Sequence, residues 1–468
     1  MYQTSCVVVS KTSEHKLYNY CKNQCEGSKL LKNATLFRCR QLLFAYEKDY
    51  KNLLDHQIEV IEEFDKYTSN KYKKIGKDNY LPNSNQFQLM FEQTKNPDYY
   101  NPNLATQTSI HIVKKTLDSF KSFFKAIKDY YHNPSKYTGK PSLPKYIKTN
   151  ETTAFYTNQD CVIYDINRTT YLKLPKMPES KGKKTRARRR GYVNLGNIQI
   201  NDLVQVEIQP YYDTYKICIT YNKKEDIATL DETRILGLDP GLDNFLTTSN
   251  NCGLHPFIIN GRDMKSYNQH YNEKLARLRS RLPKKQYTSE QIQRLSKQRD
   301  CYFYNKFHKI ISYLMKYCID NKIGVIVIGH NKFQKQHYNK GKIQNQHFCF
   351  IPHAKFLGML KLQCEFRGIK VIETEESYTS QASFLNMDDI PTYKKGCNKK
   401  YEFSGERTCR GLYVTKDEIE INADVNGASN IIRKVFPNAF KNISDLTYLT
   451  KNVKRITIMQ GSNTVMVS

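Results

Sequence analysis

The spacing of apolar positions changes along the chain, and each change predicts a different kind of element. Residues 3–9 (QTSCVVV) have the make-up of a strand. After a polar loop, Leu42, Leu43, Tyr46, Leu53 and Leu54 give the stretch from about Leu30 to Glu62 helical spacing. A Pro/Asn-rich stretch around Pro82 to Pro102 interrupts it. From Leu104, the positions Ile110, Val113, Leu117, Phe120, Phe124, Ile127 and Tyr131 alternate steps of three and four, predicting a long amphipathic helix. Lys114, Lys115, Lys121, Lys125 and Lys128 fill its other face, and Pro134, Gly139, Pro141 and Pro144 forbid its continuation.

From Thr152 to Tyr221 the period drops to two. AFYT, CVIYDI, TYLKL, YVNLGNI, VQVEIQP and YKICITY predict short strands and a small all-β unit, expected to close as a barrel. Beyond Glu225 come three strands (RILGLD, NFLTTSN, HPFIIN), then helical spacing over Lys265 to Leu282 and Ser289 to Asp320. A continuous apolar strand at Val325 to Ile328, a helix from about Ala354 to Phe366, a strand at Ile369 to Glu373 and a helix beginning near Asp424 complete the pattern. Three strands in a meander, then helix, strand, helix, strand, helix is the element order of a ribonuclease H-like fold. The predicted fold class is therefore multidomain α/β plus a β-barrel.

Composition sharpens this picture. A chain of 468 residues can form two to four compact units. Its formal charge of +29 exceeds what solubility requires and points to a polyanionic partner, nucleic acid first. Drift toward Lys, Asn and Tyr would also raise the charge, but it would not place cations in runs such as Lys181 to Arg190 (KGKKTRARRR), where seven of ten residues are basic. Lys181, Lys183, Lys184, Arg186, Arg188, Arg189 and Arg190 between two strands suit phosphate contacts better than packing. The long helix, through Lys121 and Lys125, reads equally as a phosphate-binding face or as an ordinary surface helix. Thirteen scattered cysteines without a C-x-x-C pair, no apolar run of spanning length and no apolar leader predict an intracellular, cytoplasmic chain with reduced thiols and no membrane contact.

Candidate chemistry begins at RILGLDPGLDN, Arg234 to Asn244. A strand there delivers Asp239 into a Pro-Gly turn. In a ribonuclease H-like sheet, carboxylates at strand ends hold two hard divalent ions, Mg2+ or Mn2+, roughly 3.5–4 Å apart. Asp-Pro-Gly alone also reads as a plain turn. Asp424 opens the last helix and could merely cap it, yet Asn422, Asn426 and Asn430 make that helix unusually polar for one that packs on a sheet.

LGLDPGLDNF, ESYTSQASF and NADVNGASNIIRK resemble three sequence blocks of the TnpB family, transposon-encoded RNA-guided DNA nucleases related to type V CRISPR effectors; the likeness extends over nearly the whole chain. It implies a split wedge β-barrel (residues 1–35 and 131–228), a helical recognition lobe (36–130) and a RuvC nuclease domain (229–468) with an insertion at about 377–420. It further implies a guide RNA, a double-stranded DNA target with a short flanking motif, and a monomeric protein in the RNA complex. The expected activity is a Mg2+-dependent RNA-guided DNA endonuclease with catalytic, metal-holding Asp239, Glu376 and Asp424. The middle acid departs from the family pattern: VIVIGHN puts Gly329 and His330 where a glutamate belongs, so either the acid has moved or the protein binds without cutting. Glu376, ahead of Glu375 and Glu373, is the expected replacement, as in a subgroup with a relocated RuvC glutamate.

The insertion departs too. Ala382 and Phe384 stand where sulfur ligands would be expected, and Cys397 and Cys409 cannot make a tetrahedral site by themselves. No structural zinc is expected; Lys394, Lys395, Lys399, Lys400, Arg407 and Arg410 are expected to touch nucleic acid. A nuclease-inactive regulator and a miniature type V effector stay open as alternatives. A transposase that itself joins DNA ends is disfavoured, because no His pair near a catalytic Tyr is present. Neutralising Arg186, Arg188, Arg189 and Arg190 should weaken RNA binding and flatten its dependence on salt in a filter-binding titration; an unchanged slope would make that segment a linker.

Overall fold

A computed structural model describes residues 2–45, 48, 50–67, 81–176, 192–224, 227–330, 351–392, 400–409, 411–458 and 465–467. The chain divides into two compact units, Met1–Lys224 and Glu225–Ser468.

In the first unit, β1 (Tyr2–Val9) leads into four helices: α1 (His15–Ala45), α2 (Asp55–Tyr67), α3 (Ser84–Gln93) and α4 (Thr106–His132). They share a core that includes Leu31, Leu36, Phe64, Phe87, Phe91 and Phe120. Helix α1 begins well before the apolar period does. Its first half buries Cys21, Gln24, Cys25, Gly27 and Ser28, small or polar groups that carry no hydropathic signal. Leu54 falls between α1 and α2 and is exposed, so the expected single helix is two. Helix α3 was hidden in the Pro/Asn-rich stretch. It is started by a capping box, in which Asn83 accepts from the Gln86 backbone at 3.0 Å and Gln86 answers at 2.9 Å.

The strands expected between Thr152 and Tyr221 form, but the barrel is a correction. Strands β2 (Ala154–Thr157), β6 (Leu203–Tyr211) and β7 (Thr214–Asn222) join β1 in a sheet of order β1-β7-β6-β2, whereas β3 (Val162–Ile166), β4 (Thr169–Lys173) and β5 (Val193–Gly196) form a separate three-stranded sheet. Among the described residues no ladder closes the two. They are open sheets over one core of Tyr156, Leu172, Val193, Val206, Ile217 and Ile219. Alternation predicts which face of a strand is buried and is silent on which edges meet. The basic segment Lys181 to Arg190 lies outside the described residues.

The second unit is a seven-stranded mixed sheet of order β12-β11-β8-β9-β10-β16-β17. It is built from β8 (Asp231–Pro240), β9 (Asn244–Asn250), β10 (Phe257–Asn260), β11 (Ile323–Gly329), β12 (Lys370–Thr374), β16 (Lys454–Ile458) and β17 (Val465–Val467). Taken in chain order, its first five strands lie 3-2-1-4-5, with β8, β11 and β12 parallel. Helices α5 (Arg262–Ser280), α6 (Glu290–Asp320) and α7 (His353–Phe366) belong to this unit. Phe303, Phe307, Phe356 and Leu360 from α6 and α7 pack with Ile326 and Ile328. Val325 and Val327 point into a second core with Ile431 and Ile432 of α8 (Ala423–Val435), so the VIVI run is apolar because both its faces are covered.

Strands β13 (Gly405–Cys409), β14 (Leu412–Thr415) and β15 (Glu420–Asn422) form a small antiparallel sheet leading directly into α8. Helix α8 sits unusually close to the sheet. A Cβ at Gly237 of β8 would lie 2.6 Å from both the Ala428 carbonyl oxygen and Ile432 Cγ1. Gly237→Ala should therefore destabilise the protein by about 1–3 kcal/mol in a denaturant titration; no loss would mean that α8 can lift off without penalty.

Candidate active site

Parallel pairing brings three strand ends side by side. Leu238 of β8 is in register with Ile328 of β11, and Gly329 of β11 with Thr374 of β12. Asp239 thus sits at the end of β8, and Glu375 and Glu376 leave the sheet two strands away. His330 N–H donates to the Thr374 carbonyl at 2.8 Å, carrying the β11–β12 contact one residue past the strand.

Helix α8 supplies the third acid. Its N-terminus is capped by Asn422, whose side chain accepts from the backbone of Asp424 and Val425 at 3.1 and 3.2 Å. The Asp424 carboxylate is thereby released from capping. It accepts from Asn244 Nδ2 at 2.6 Å and lies 3.5 Å from Arg407 Nη2 on β13. Gly427, one turn on, brings the helix against the first acid: a Cβ there would stand 3.0 Å from Asp239 Oδ2.

Gly329 is where the sheet makes room for Glu376. A Cβ at Gly329 would meet Glu376 Cγ at 2.8 Å and Oε1 at 3.0 Å, so the side chain from beyond β12 lies over the end of β11. Glu375 is engaged elsewhere. It pairs with the nearly buried Lys434 and accepts from the Ser377 backbone at 2.9 Å; Lys434 also donates to the Ser377 carbonyl at 2.8 Å. Glu373 is bound to Lys361 at 2.7 Å.

The electrostatics follow this placement. Burial pushes Asp239 well above the usual carboxylate range, and the carboxylates of Glu376 and Asp424 push it further the same way, against the pull of Arg407. Glu376 is raised to about 7 by burial and by its neighbour Glu375, with Lys434 opposing. As the side chains stand, no three His, Cys, Asp or Glu among the described residues form a group that could hold one ion. The donor set nevertheless fits Mg2+ or Mn2+: the acids are all hard oxygen donors, and Mg2+ is ordinarily held by one or two carboxylates with water and substrate phosphate completing its shell.

The other expected residues are dispersed. Arg407 touches the site; Arg410, Lys394, Lys395 and Lys399 lie outside the described residues, as do Lys181, Lys183, Lys184, Arg186, Arg188, Arg189 and Arg190. Lys121 and Lys125 are exposed on α4 in the first unit, Lys121 paired with Asp118 at 3.1 Å. Ala382 and Phe384 are fully buried, Phe384 packing edge-on against Phe440 at 4.7 Å, and Cys409 is exposed. Asp388 clasps the two sides of the insertion, accepting from the backbone of Ser383 at 2.8 Å and of Ser404 at 2.9 Å. Sequence reasoning missed Asn244 and Lys434. Only the polar start of NFLTTSN hinted at the first, and nothing local to the motif signalled the second.

Residues 217–334 match the OrfB_IS605 family model, described as a probable transposase, and residues 353–431 match the Cas12f1-like TNB domain. Over these two stretches, together less than half of its length, the chain is TnpB-like. Among solved structures, the chain is similar to that in a Cas12f1–sgRNA–target DNA complex, with a TM-score of 0.51 and 12% identity over 89% of this chain and 82% of that one. It is also similar to the mini-RNA-guided endonuclease CRISPR-Cas_phi3, with a TM-score of 0.41 and 10% identity over 92% of each chain. At such identity the first likeness is one of fold. No curated protein sequence matches. No described helix is long and apolar enough to cross a membrane.

Glu376 holds its proton to about pH 7 in the fold, against an ordinary value of 4.5. The folded state therefore binds more protons than the unfolded state between those values, and stability falls as pH rises through that window. In chelator-treated protein at pH 8, Glu376→Gln should raise unfolding free energy by on the order of 1–3 kcal/mol. Equal stability in urea titrations would show that this carboxylate is not desolvated.

Proposed function

We propose that the protein is an RNA-guided DNA endonuclease whose second unit hydrolyses phosphodiester bonds, with Asp239, Glu376 and Asp424 as the ligands of two Mg2+ or Mn2+ ions. The observation that carries this is the Glu376 side chain lying over Gly329. It supports an acid supplied from the neighbouring strand rather than a lost one, and so favours cutting over binding alone. Bound ions would supply an activated water and stabilise the leaving oxygen.

The chain's own groups have separable roles in this reading. Asp239 and Glu376, both partly buried and both favouring the protonated form, release a proton on taking up a cation. Asn244 orients the Asp424 carboxylate through its 2.6 Å bond. Arg407, beside that carboxylate and 42% exposed, can exchange its carboxylate contact for a phosphate oxygen of the DNA. The insertion holds together through the Asp388 clasp and the buried Phe384, which supports a domain without structural zinc.

Guide RNA and target DNA are the proposed partners, on the charge of +29 and the likeness to a complex that holds sgRNA and target DNA. Residues 1–35 and 131–228 would form the wedge, 36–130 the recognition lobe and 229–468 the nuclease, base pairing selecting the target and the protein reading a short flanking motif. A second reading, a miniature type V effector, is favoured by the Cas12f1-like match over 353–431. Sequencing the co-purified RNA separates the two: a transposon-end transcript supports the first, a repeat-derived guide the second.

Loaded with that RNA, wild-type protein should cut matched DNA in Mg2+. Glu376→Gln should lose cleavage by at least about 10³-fold with guided binding intact, whereas Glu375→Gln should stay within about tenfold of wild type. Full cutting by the Glu376 variant would remove that residue from the site.

A further inference from the structure

Helix α8 carries, besides Asp424, two asparagines that are completely buried, Asn426 and Asn430. A buried primary amide must have its donors and acceptor satisfied, and here the partners are backbone groups of the segment that follows Glu376. Asn430 Nδ2 donates to the carbonyls of Thr379 at 2.9 Å and Ala382 at 2.7 Å, while its Oδ1 accepts from Arg433 Nη1 at 3.1 Å. Asn426 donates to the same Ala382 carbonyl at 2.9 Å and accepts from Phe384 N–H at 2.9 Å.

Thr379 is the hinge of this arrangement. Held by Asn430 through its carbonyl, it returns two bonds to the Glu376 carbonyl, from its Oγ1 at 2.8 Å and its N–H at 3.2 Å. Between them Tyr378 adopts a φ of +62°, a left-handed conformation disfavoured for a residue with a side chain. A turn with such a residue at its centre needs outside support to persist. Helix α8 supplies it, from the face that also touches Asp239 at Gly427.

We infer that Asn430 is a positioning residue for Glu376, acting through Thr379 to fix the carboxylate that follows β12 relative to the acid carried by its own helix. The inference rests on the assignment of Glu376 as a metal ligand. Asn430 touches neither metal nor substrate. Its effect is to make the spacing of Glu376 and Asp424 a property of one helix rather than of a loop.

The test is a calorimetric Mn2+ titration of the RNA-bound, full-length protein, with Asp239→Asn as the blank for ions held by RNA. Thr379→Val removes the hydroxyl bond at nearly constant volume, and Asn430→Ala removes the amide. Both should weaken Mn2+ binding by about tenfold and raise by a similar factor the Mn2+ needed for half-maximal cleavage, with guided DNA binding unchanged. A purely structural asparagine would lower the thermal midpoint and leave Mn2+ affinity where it was. If Asn430→Ala does not fold, Thr379→Val decides alone. Wild-type Mn2+ affinity in these variants, with loss in Glu376→Gln, overturns the inference and leaves the assignment of Glu376 standing. Wild-type affinity and cutting in Glu376→Gln overturns both.

Discussion

Like charges do not gather inside a protein unless something holds them there, and the second unit is arranged to do so. Asp239 comes from β8, Glu376 from beyond β12 and Asp424 from the first turn of α8, three elements that meet through parallel pairing and through the close seating of α8 at Gly237. Burial raises the proton affinity of Asp239 and Glu376; Glu376 and Asp424 add to it at Asp239, and Glu375 adds to it at Glu376. Cores on both faces of the sheet supply the burial that offsets this cost.

The sequence was most informative where geometry is local. The order of elements in the second unit, the strand ending at Asp239 and the long helix α4 follow from periodicity and turn chemistry, and the structure shows each of them. The start of α1 was illegible because a helix face made of Cys, Gln, Gly and Ser packs by size rather than by hydropathy. Strands β16 and β17, at one end of the sheet, and the three-stranded insertion were missed for a related reason. Short strands such as KRITI gain their definition from a partner edge, here β10 for β16, that no local pattern encodes.

The candidate site was legible in part. Asp239 and Asp424 stood out as acids at an element's end and an element's start, but the middle acid could not be settled from composition. Glu373, Glu375 and Glu376 are told apart by their surroundings. Lys361 and Lys434, distant in sequence, engage the first two. The polarity of NADVNGASN pointed to something unusual, and its content is backbone satisfaction: Asn422 caps the helix, and Asn426 and Asn430 receive the turn after Glu376.

The overlap at Gly329 also bears on where the Glu376 side chain can rest. A side chain at 329 would collide with Glu376 and, at 2.5 Å, with Ile431 Cδ1. A side chain at 329 would therefore need Glu376 and Ile431 to turn aside, so the glycine keeps open the space over the end of β11 that the Glu376 side chain fills.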